Sequence, residues 1–447
     1  MTNRQQIHLG LISTICAGGT AWRHPAADPA GATQISAYVQ EAQLAERGLF
    51  DLYFLADSSG LRTDPPELWS RRPFFHNALE PITALAAVAT RTERIGLGGT
   101  ATTTYYEPYH IARFFQSLDH ISNGRSAWNA VTSANAFISL NFGQQDLLAH
   151  GSRYDRAREF LKAVDAFWET WDEDAFVYDK AEGTYYSPDK LHPVWFQGEH
   201  VQVLGGGLNI ERGPQGKPVI IQAGGSPDGR QLAAESAEVV FSGAKTVSEG
   251  RAYNEDVRSR MVAVGRDPEG IKLLPSITVV VAETAAQAQE DVERMRGLAD
   301  DETSALAMAV DLEVDVRGLP LDAPIPRDLI PASAKYHSQF FQQIVAKIDA
   351  ENPTLRELAR WYGSGRTVHG TATTVVDVME EWVTGGAADG FIVHVEPGGL
   401  QSFVDLVIPE LQRREMYRTE YRGTTLRDHL GLPVPTSRSL ADGLSAR

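Results

Sequence analysis

A chain of 447 residues with a formal net charge of −17 is not built to hold nucleic acid or an anionic membrane surface as its main partner, although one cationic cleft remains compatible with that total. Hydrophobic residues at 43% and charged residues at 22% are the balance of an ordinary globular chain, long enough for one large α/β domain with insertions or for several smaller ones. The single cysteine, Cys16, excludes an intrachain disulfide and a cysteine-based zinc site, and no apolar run approaches the roughly 18 residues of a membrane-spanning helix.

The polar start, Met1-Thr-Asn-Arg-Gln-Gln, lacks the apolar core of a signal peptide, so a cytoplasmic location is expected. Ile7 to Ser13 reads as a first strand, followed by a polar loop holding Cys16, Trp22, Arg23 and His24. Thr33 to Gly48 reads as a helix, with Ile35, Tyr38, Val39, Ala42 and Ala45 on one face and Gly48 as its stop. Phe50 to Ala56 is the most distinctive run: apolar and aromatic, it suits a strand buried on both faces, yet it ends in Asp57 and Ser58. The long loop that follows carries Trp69, Arg71, Arg72, Phe74 and Phe75, and a loop of that length is more often functional than a mere connector.

Glu80 to Thr92 is an Ala-rich helix, and Arg94 to Gly99 a third strand ending in Thr100, Thr102, Thr103 and Thr104. Pro108 to Ile121 is helical with Pro108 near the first turn. Arg125 to Val131 is a fourth strand running into Thr132, Ser133 and Asn135, and a helix ending near Trp171 begins around His150 and Tyr154. Residues 172–217, aromatic and Gly-rich, read as an insertion. Pro218–Ala223, Glu238–Ser242, Lys272–Ala282 and Asp389–Val395 complete a set of eight strands, with helices reaching Gly265, over Ala285–Ala299 and over Thr371–Thr384. Residues 301–370 read as a second insertion with an amphipathic helix around Tyr336–Ile348; a last helix covers about 402–415, followed by an extended polar tail.

Strands alternating with helices in this way give an α/β fold, a TIM-like (β/α)8 barrel, spanning residues 1–447 as a single domain with insertions at about 172–217 and 301–370. In such a barrel the C-terminal strand ends converge on one face, where sites are built. Asp57, Thr103, Asn129, Ser133, Gly225 and Ser226 all fall there. Two roles are open to Asp57 on this basis, turn cap or site residue. Gly224-Gly225-Ser226-Pro227 is a plausible phosphate seat, since glycines admit close backbone approach and the next helix offers free N–H groups; Ser226 and Pro227 equally suit an ordinary helix start. It is not a dinucleotide fingerprint, because the spacing and the later acidic residue are missing. His150 and Tyr154, four apart, share a helix face and both can donate to an anion, or they are a surface His and a half-buried Tyr. Cys16 suits a small buried hydrophobe, and the histidines show no spacing with carboxylates that suggests a metal.

The chain resembles the bacterial-luciferase-like flavin monooxygenases, in particular the subgroup with nitrilotriacetate, EDTA and dibenzothiophene-sulfone monooxygenases. The resemblance rests on Ala21-Trp22-Arg23-His24-Pro25, Asp57-Ser58, Leu79-Glu80-Pro81, Thr100–Thr104 with Glu107-Pro108-Tyr109, Gly124–Ser133 (GRSAWNAVTS), Arg153-Tyr154, Gln222–Ser226, Asp389-Gly390-Phe391, and Leu411–Arg414 with Tyr421–Leu426. Many ordered matches over nearly the whole chain make it specific.

The family implies a barrel that binds reduced FMN (FMNH2) supplied by a separate NAD(P)H:flavin reductase, lets it react with O2 to a flavin peroxide, and oxygenates a small organic substrate. By resemblance Asp57 and Thr103 meet the isoalloxazine, Asn129 lies beside it, and His150, Tyr154, Gly225 and Ser226 hold the ribityl phosphate; Ser133 sits near the reacting edge as the catalytic candidate. No metal, nucleic acid or membrane is implied, and a homodimer or higher homo-oligomer is. A lid is expected, with 301–370 as its candidate. Two departures stand out: Ala130 occupies a position where the family often has Ile or Val, and His369-Gly370-Thr371-Ala372 lacks the usual Pro. A deazaflavin-dependent oxidoreductase, a non-catalytic flavin-binding protein and a metal-free hydrolase are the competing readings, and no residue identifies the substrate.

Overall fold

The computed structural model describes residues 6–15, 19–133, 135–145, 150–334, 338–363 and 367–437, so Cys16 and Tyr336 lie outside the described residues. Its frame is a ring of parallel strands: β1 (His8–Ile12), β2 (Leu52–Leu55), β3 (Gly96–Thr102), β4 (Ser126–Val131), β5 (Val219–Gln222), β6 (Val239–Ser242), β7 (Lys272–Val281) and β8 (Gly390–Val395). Each pairs in parallel with the next, and β8 closes onto β1 with His8 opposite Gly390. The expected (β/α)8 barrel is therefore the fold, and each predicted strand contains or overlaps an observed one. The largest shift is at β3, which runs on to Thr102 and so takes Thr100 and Thr102 into the ladder with β4.

The β2 sequence explains why both faces of a strand are apolar here. Leu52 and Phe54 point into the lumen with Ala127, Val219, Ile221 and Ile392, while Tyr53 and Leu55 join the layer between strands and outer helices. Gly98 keeps the lumen packable, since a Cβ there would lie 3.1 Å from Leu52 and 3.3 Å from Phe54. The helix Ile35–Arg47 buries Tyr38, Ala42 and Ala45 as its periodicity requires, but Ile35 at its first turn is exposed.

The chain after the last helices departs from the predicted polar tail. Leu426–Leu430 forms a helix, and Leu426 and Leu430 enter the lumen core from the N-terminal end of the strands. Arg427, fully buried, holds both carboxylate oxygens of Glu238 at 2.6 and 3.0 Å. The polar appearance arose because its two core residues are spaced for a single turn among Arg, Asp and His. The last predicted helix runs from Gly399 to Arg413, with a π turn at Phe403–Val407 just ahead of Pro409, whose missing N–H cannot continue an α ladder.

Within 172–217 the chain builds two antiparallel hairpins, Phe176–Asp179 with Thr184–Tyr186 and Val194–Gln197 with Gln202–Gly206. Within 301–370 it builds the helices Asp301–Leu312, Ser338–Glu351 and Leu355–Gly363 around a separate apolar cluster that includes Met308, Leu312, Ile344 and Leu358. The strand Thr367–Gly370, which the sequence pattern did not reveal, adds alongside Thr278–Val281 of β7.

Candidate active site at the C-terminal face of the barrel

Strand ends and one helix assemble most of the predicted residues. Thr103, buried just past β3, is fixed by its amide and its hydroxyl, which both donate to the Val131 carbonyl at 2.9 and 3.2 Å. Asn129 lies within β4 and donates from Nδ2 to Thr100 Oγ1 at 2.9 Å. Its Oδ1 is buried and has no hydrogen-bond partner among the described residues. Such an acceptor inside a barrel calls for a donor from a ligand or water, because an unsatisfied buried polar atom costs roughly 1–3 kcal/mol. Ser133 shares a hydrogen bond with Thr102 Oγ1 at 2.9 Å, and its amide donates to Thr104 Oγ1 at 3.1 Å. That positions Ser133 structurally, with its hydroxyl already engaged.

The helix His150–Trp168 bolts these loops together. Arg153 Nη1 donates to the Ser133 carbonyl at 2.7 Å and Arg156 Nε to the Thr103 carbonyl at 3.2 Å. Between them Tyr154 reaches the other side, its hydroxyl 3.3 Å from Ser226 Oγ. His150 is the first residue of this helix, but its side chain lies outside the described residues.

Ser226 caps the helix Pro227–Ser236 by accepting from the Gly229 amide at 3.1 Å, so the helix-start role foreseen for Ser226-Pro227 is present. The same hydroxyl faces Tyr154, and the two roles coexist. Gly225 is held through its carbonyl by Arg230 Nε at 3.1 Å, and the Gly224 carbonyl accepts from Tyr253 at 2.7 Å. A Cβ on Gly224 would lie 2.7 Å from Gly229 Cα, so this loop folds onto its own helix in a way only glycine permits.

Asp57 stands apart from this network at the end of β2. Burial pushes its carboxyl up to about 6; an amide bond from Ser58 opposes that and the nearby Glu80 charge adds to it. Glu80, in the Leu79-Glu80-Pro81 motif, caps its helix by accepting from Ile82 and Thr83 amides at 2.9 and 2.7 Å. A second carboxylate at a strand end escaped the sequence reading. Glu396, immediately after β8, is raised to about 7 by burial and by Asp291, and its Oε2 is buried without a partner among the described residues. The signal was available, since it repeats the apolar strand ending in an acid that singled out Asp57. A cleft of about 390 Å³ opens beside this face, lined by Thr104, Tyr105, Phe142, Arg156 and His200, and among the described residues none of the predicted site residues lines it. Among the described residues no three His, Cys, Asp or Glu side chains converge as a metal set.

A family model described as luciferase-like monooxygenase matches residues 18–389. Nitrilotriacetate monooxygenase component A of Aminobacter aminovorans is 43% identical over 452 residues, covering 97% of this chain and 98% of its own. Dibenzothiophene-sulfone monooxygenase of Rhodococcus erythropolis (strain XP) is 40% identical, covering 97% and 98%. Among solved structures, riboflavin lyase with modified FMN and riboflavin superposes with a TM-score of 0.85 at 29% identity, covering 97% of each chain.

Proposed function

We propose a reaction for this chain from the premise that it belongs to the luciferase-like monooxygenase family. It is a monooxygenase, and we read it as the oxygenase component of a two-component system, acting as a cytoplasmic homo-oligomer. A separate NAD(P)H:flavin reductase delivers FMNH2, one atom of O2 enters a small organic substrate, and the other leaves as water while FMNH2 returns to FMN. The observation that carries this reading is the Oδ1 of Asn129, buried and without a hydrogen-bond partner among the described residues, an acceptor that an N–H of a flavin ring would satisfy.

The residues present fit the cofactor. Tyr154, Ser226 and Gly225, with the N-terminus of the helix Pro227–Ser236 behind them, would take its phosphate. Thr103, Asn129 and Asp57 would border its ring system. When bound, reduced FMN supplies the electrons that activate oxygen; the chain binds, orients and excludes water. Arg153 and Arg156 do the positioning, since each fixes a strand-end carbonyl from the helix that carries Tyr154. Asp57 is an orienting acceptor in this reading, and Ser133 borders the reacting edge. The relatives named above act on a tricarboxylate amine in one case and a neutral sulfone in the other, so the family alone leaves the substrate class open.

Anaerobic titration of the protein with FMNH2, followed by admission of air, tests the proposal. The expected result is saturable binding and reoxidation of the flavin slower than in buffer, with less hydrogen peroxide released. Reoxidation and peroxide yield identical to those of free FMNH2 at saturating protein would overturn it.

A further inference from the structure

The lumen side of β8 ends in two ionisable side chains. Ile392 packs in the lumen, whereas Phe391, Val393 and Val395 join the layer beneath the outer helices. The alternation of the strand therefore gives the lumen side to His394 and then to Glu396, the first residue past the strand. In the ring of eight, β8 stands opposite β4, the strand that carries Asn129. The Gly399 amide donates to the Glu396 carbonyl at 2.8 Å, and a Cβ on Gly399 would lie 3.0 Å from Glu396 Cγ, so this turn packs against the side chain. Glu396 Oε2 is nonetheless buried with no hydrogen-bond partner among the described residues. An oxygen in that state calls for a donor from a bound molecule or water.

An unpaired donor lies on the loop after the neighbouring strand, β1. His24 Nδ1 accepts from the Ala26 amide at 3.2 Å, so the neutral ring carries its proton on Nε2, and Nε2 too is buried without a partner among the described residues. This loop is set against the turn after β8, since a Cβ on Gly398 would lie 3.3 Å from Ala26 Cβ. Arg23 of the same loop donates to the Leu298 carbonyl, just beyond the helix Ala285–Arg296. That helix supplies the charges that act on Glu396. Asp291 and Arg294 pair at 2.7 Å and oppose each other, and burial is the largest cause that raises the Glu396 carboxyl to about 7. Burial pushes His394 down to about 4, and burial with Arg294 lowers His24 against the opposing Asp291, so both imidazoles are neutral at neutral pH. Of the carboxyl and the two imidazoles, only Glu396 changes charge there.

We propose that Glu396 is an acid–base catalytic residue of this barrel, giving a proton to the oxygen atom that leaves and taking one back from the reduced flavin. The inference rests on the monooxygenase reading, which supplies O2 and FMNH2. Two hydrogens and two electrons leave FMNH2, one atom of O2 enters the substrate, and the other departs as water, so the carboxyl ends as it began. Without substrate the same exchange delivers both hydrogens to O2 as hydrogen peroxide and returns FMN. A carboxyl half ionised near the working pH serves both directions.

The test compares the wild-type chain with Glu396→Gln and with the conservative Glu396→Asp. Infrared titration of the flavin-free wild type should show a protonated carboxyl that ionises near 7 and is missing from Glu396→Gln. Bound FMNH2 is then mixed with air-saturated buffer across the same pH range, and the return of FMN is followed by absorbance. In the wild type the rate should fall as pH rises through about 7. Glu396→Gln should bind FMNH2 as tightly, yet reoxidise it roughly tenfold or more slowly on the acid side and without that pH dependence. Glu396→Asp should restore part of both. Absence of the titrating carboxyl from the wild type would overturn the proposal. So would a wild-type pH profile in Glu396→Gln, or loss of its FMNH2 affinity, which would mark the side chain as structural. Failure of the wild type to bind FMNH2, with the carboxyl still titrating near 7, would instead overturn the monooxygenase reading on which the step depends.

Discussion

The hydroxyls of Tyr154 and Ser226 meet at 3.3 Å, one from a helix after β4 and one from the loop after the neighbouring β5. Both can turn toward an anion, and the Gly229 amide already orients Ser226. Replacing Tyr154→Phe together with Ser226→Ala is expected to weaken FMN binding by roughly tenfold or more, two lost hydrogen bonds to a charged group. Ser226→Ala alone also removes a helix cap and should lower stability by about 1 kcal/mol, whereas Tyr154→Phe should not. Fluorescence titration with FMN beside thermal unfolding separates the two effects, and unchanged FMN affinity in the double variant would refute the phosphate assignment.

Gly224 offers a sharper geometric probe of the same loop. The Cβ of Gly224→Ala would sit 2.7 Å from backbone carbon of Gly229, which cannot swing away as a side-chain tip can. We expect a stability loss of about 1–3 kcal/mol and a measurable rise in the FMN dissociation constant. An unfolding midpoint and FMN affinity equal to those of the wild type would show that the loop does not hold this shape.

Asp57 should leave a signature in pH. Its folded carboxyl titrates at about 6 against 3.8 for the ordinary group, so the folded state binds this proton more tightly than the unfolded chain. The stabilising contribution is therefore complete below pH 3.8 and is lost as pH rises through about 6. Asp57→Asn removes that term, and the variant should gain on the wild type by on the order of 1–2 kcal/mol between acid and neutral pH. Urea unfolding across this window measures the difference, and parallel pH profiles for the two proteins would contradict the assignment.

At the opposite end of β2, Asp51 has the reverse sign. Burial opposes its ionisation, but Arg418 and His8 outweigh burial and hold the carboxyl well below its usual range. Its Oδ2 also accepts from the Leu9 amide at 2.8 Å. This group adds stability above pH 3.8 that is lost as pH falls. Arg418→Met strands a buried carboxylate and should cost about 3–5 kcal/mol at neutral pH, while adding Asp51→Asn should recover part of that loss. Denaturant unfolding of the single and double variants reads the coupling, and strictly additive losses would deny the pair.

The eight strands, their order and the role of their C-terminal ends were legible because each is a short apolar run followed by a helix of clear period, and closure follows from that alternation. Asp57, Thr103, Ser133, Gly225 and Ser226 were legible for the same reason, as each lies just past a strand. What local pattern could not carry were the relationships made by distant segments. Leu426 and Leu430 look like surface residues until the lumen is there to receive them. Arg23, Arg71 and Arg72 looked alike in the sequence, yet Arg23 reaches the Leu298 carbonyl, Arg71 pairs with Asp300, and Arg72 is half-buried, as is Arg62, which no motif marked. Burial and counter-charge are properties of the assembled mouth. The sequence by itself determined the barrel and the strand-end residues, through periodicity and spacing along one chain. Only the tertiary structure decided which polar atoms are satisfied, which charges are compensated, and so that Asn129 keeps a buried acceptor open among the described residues.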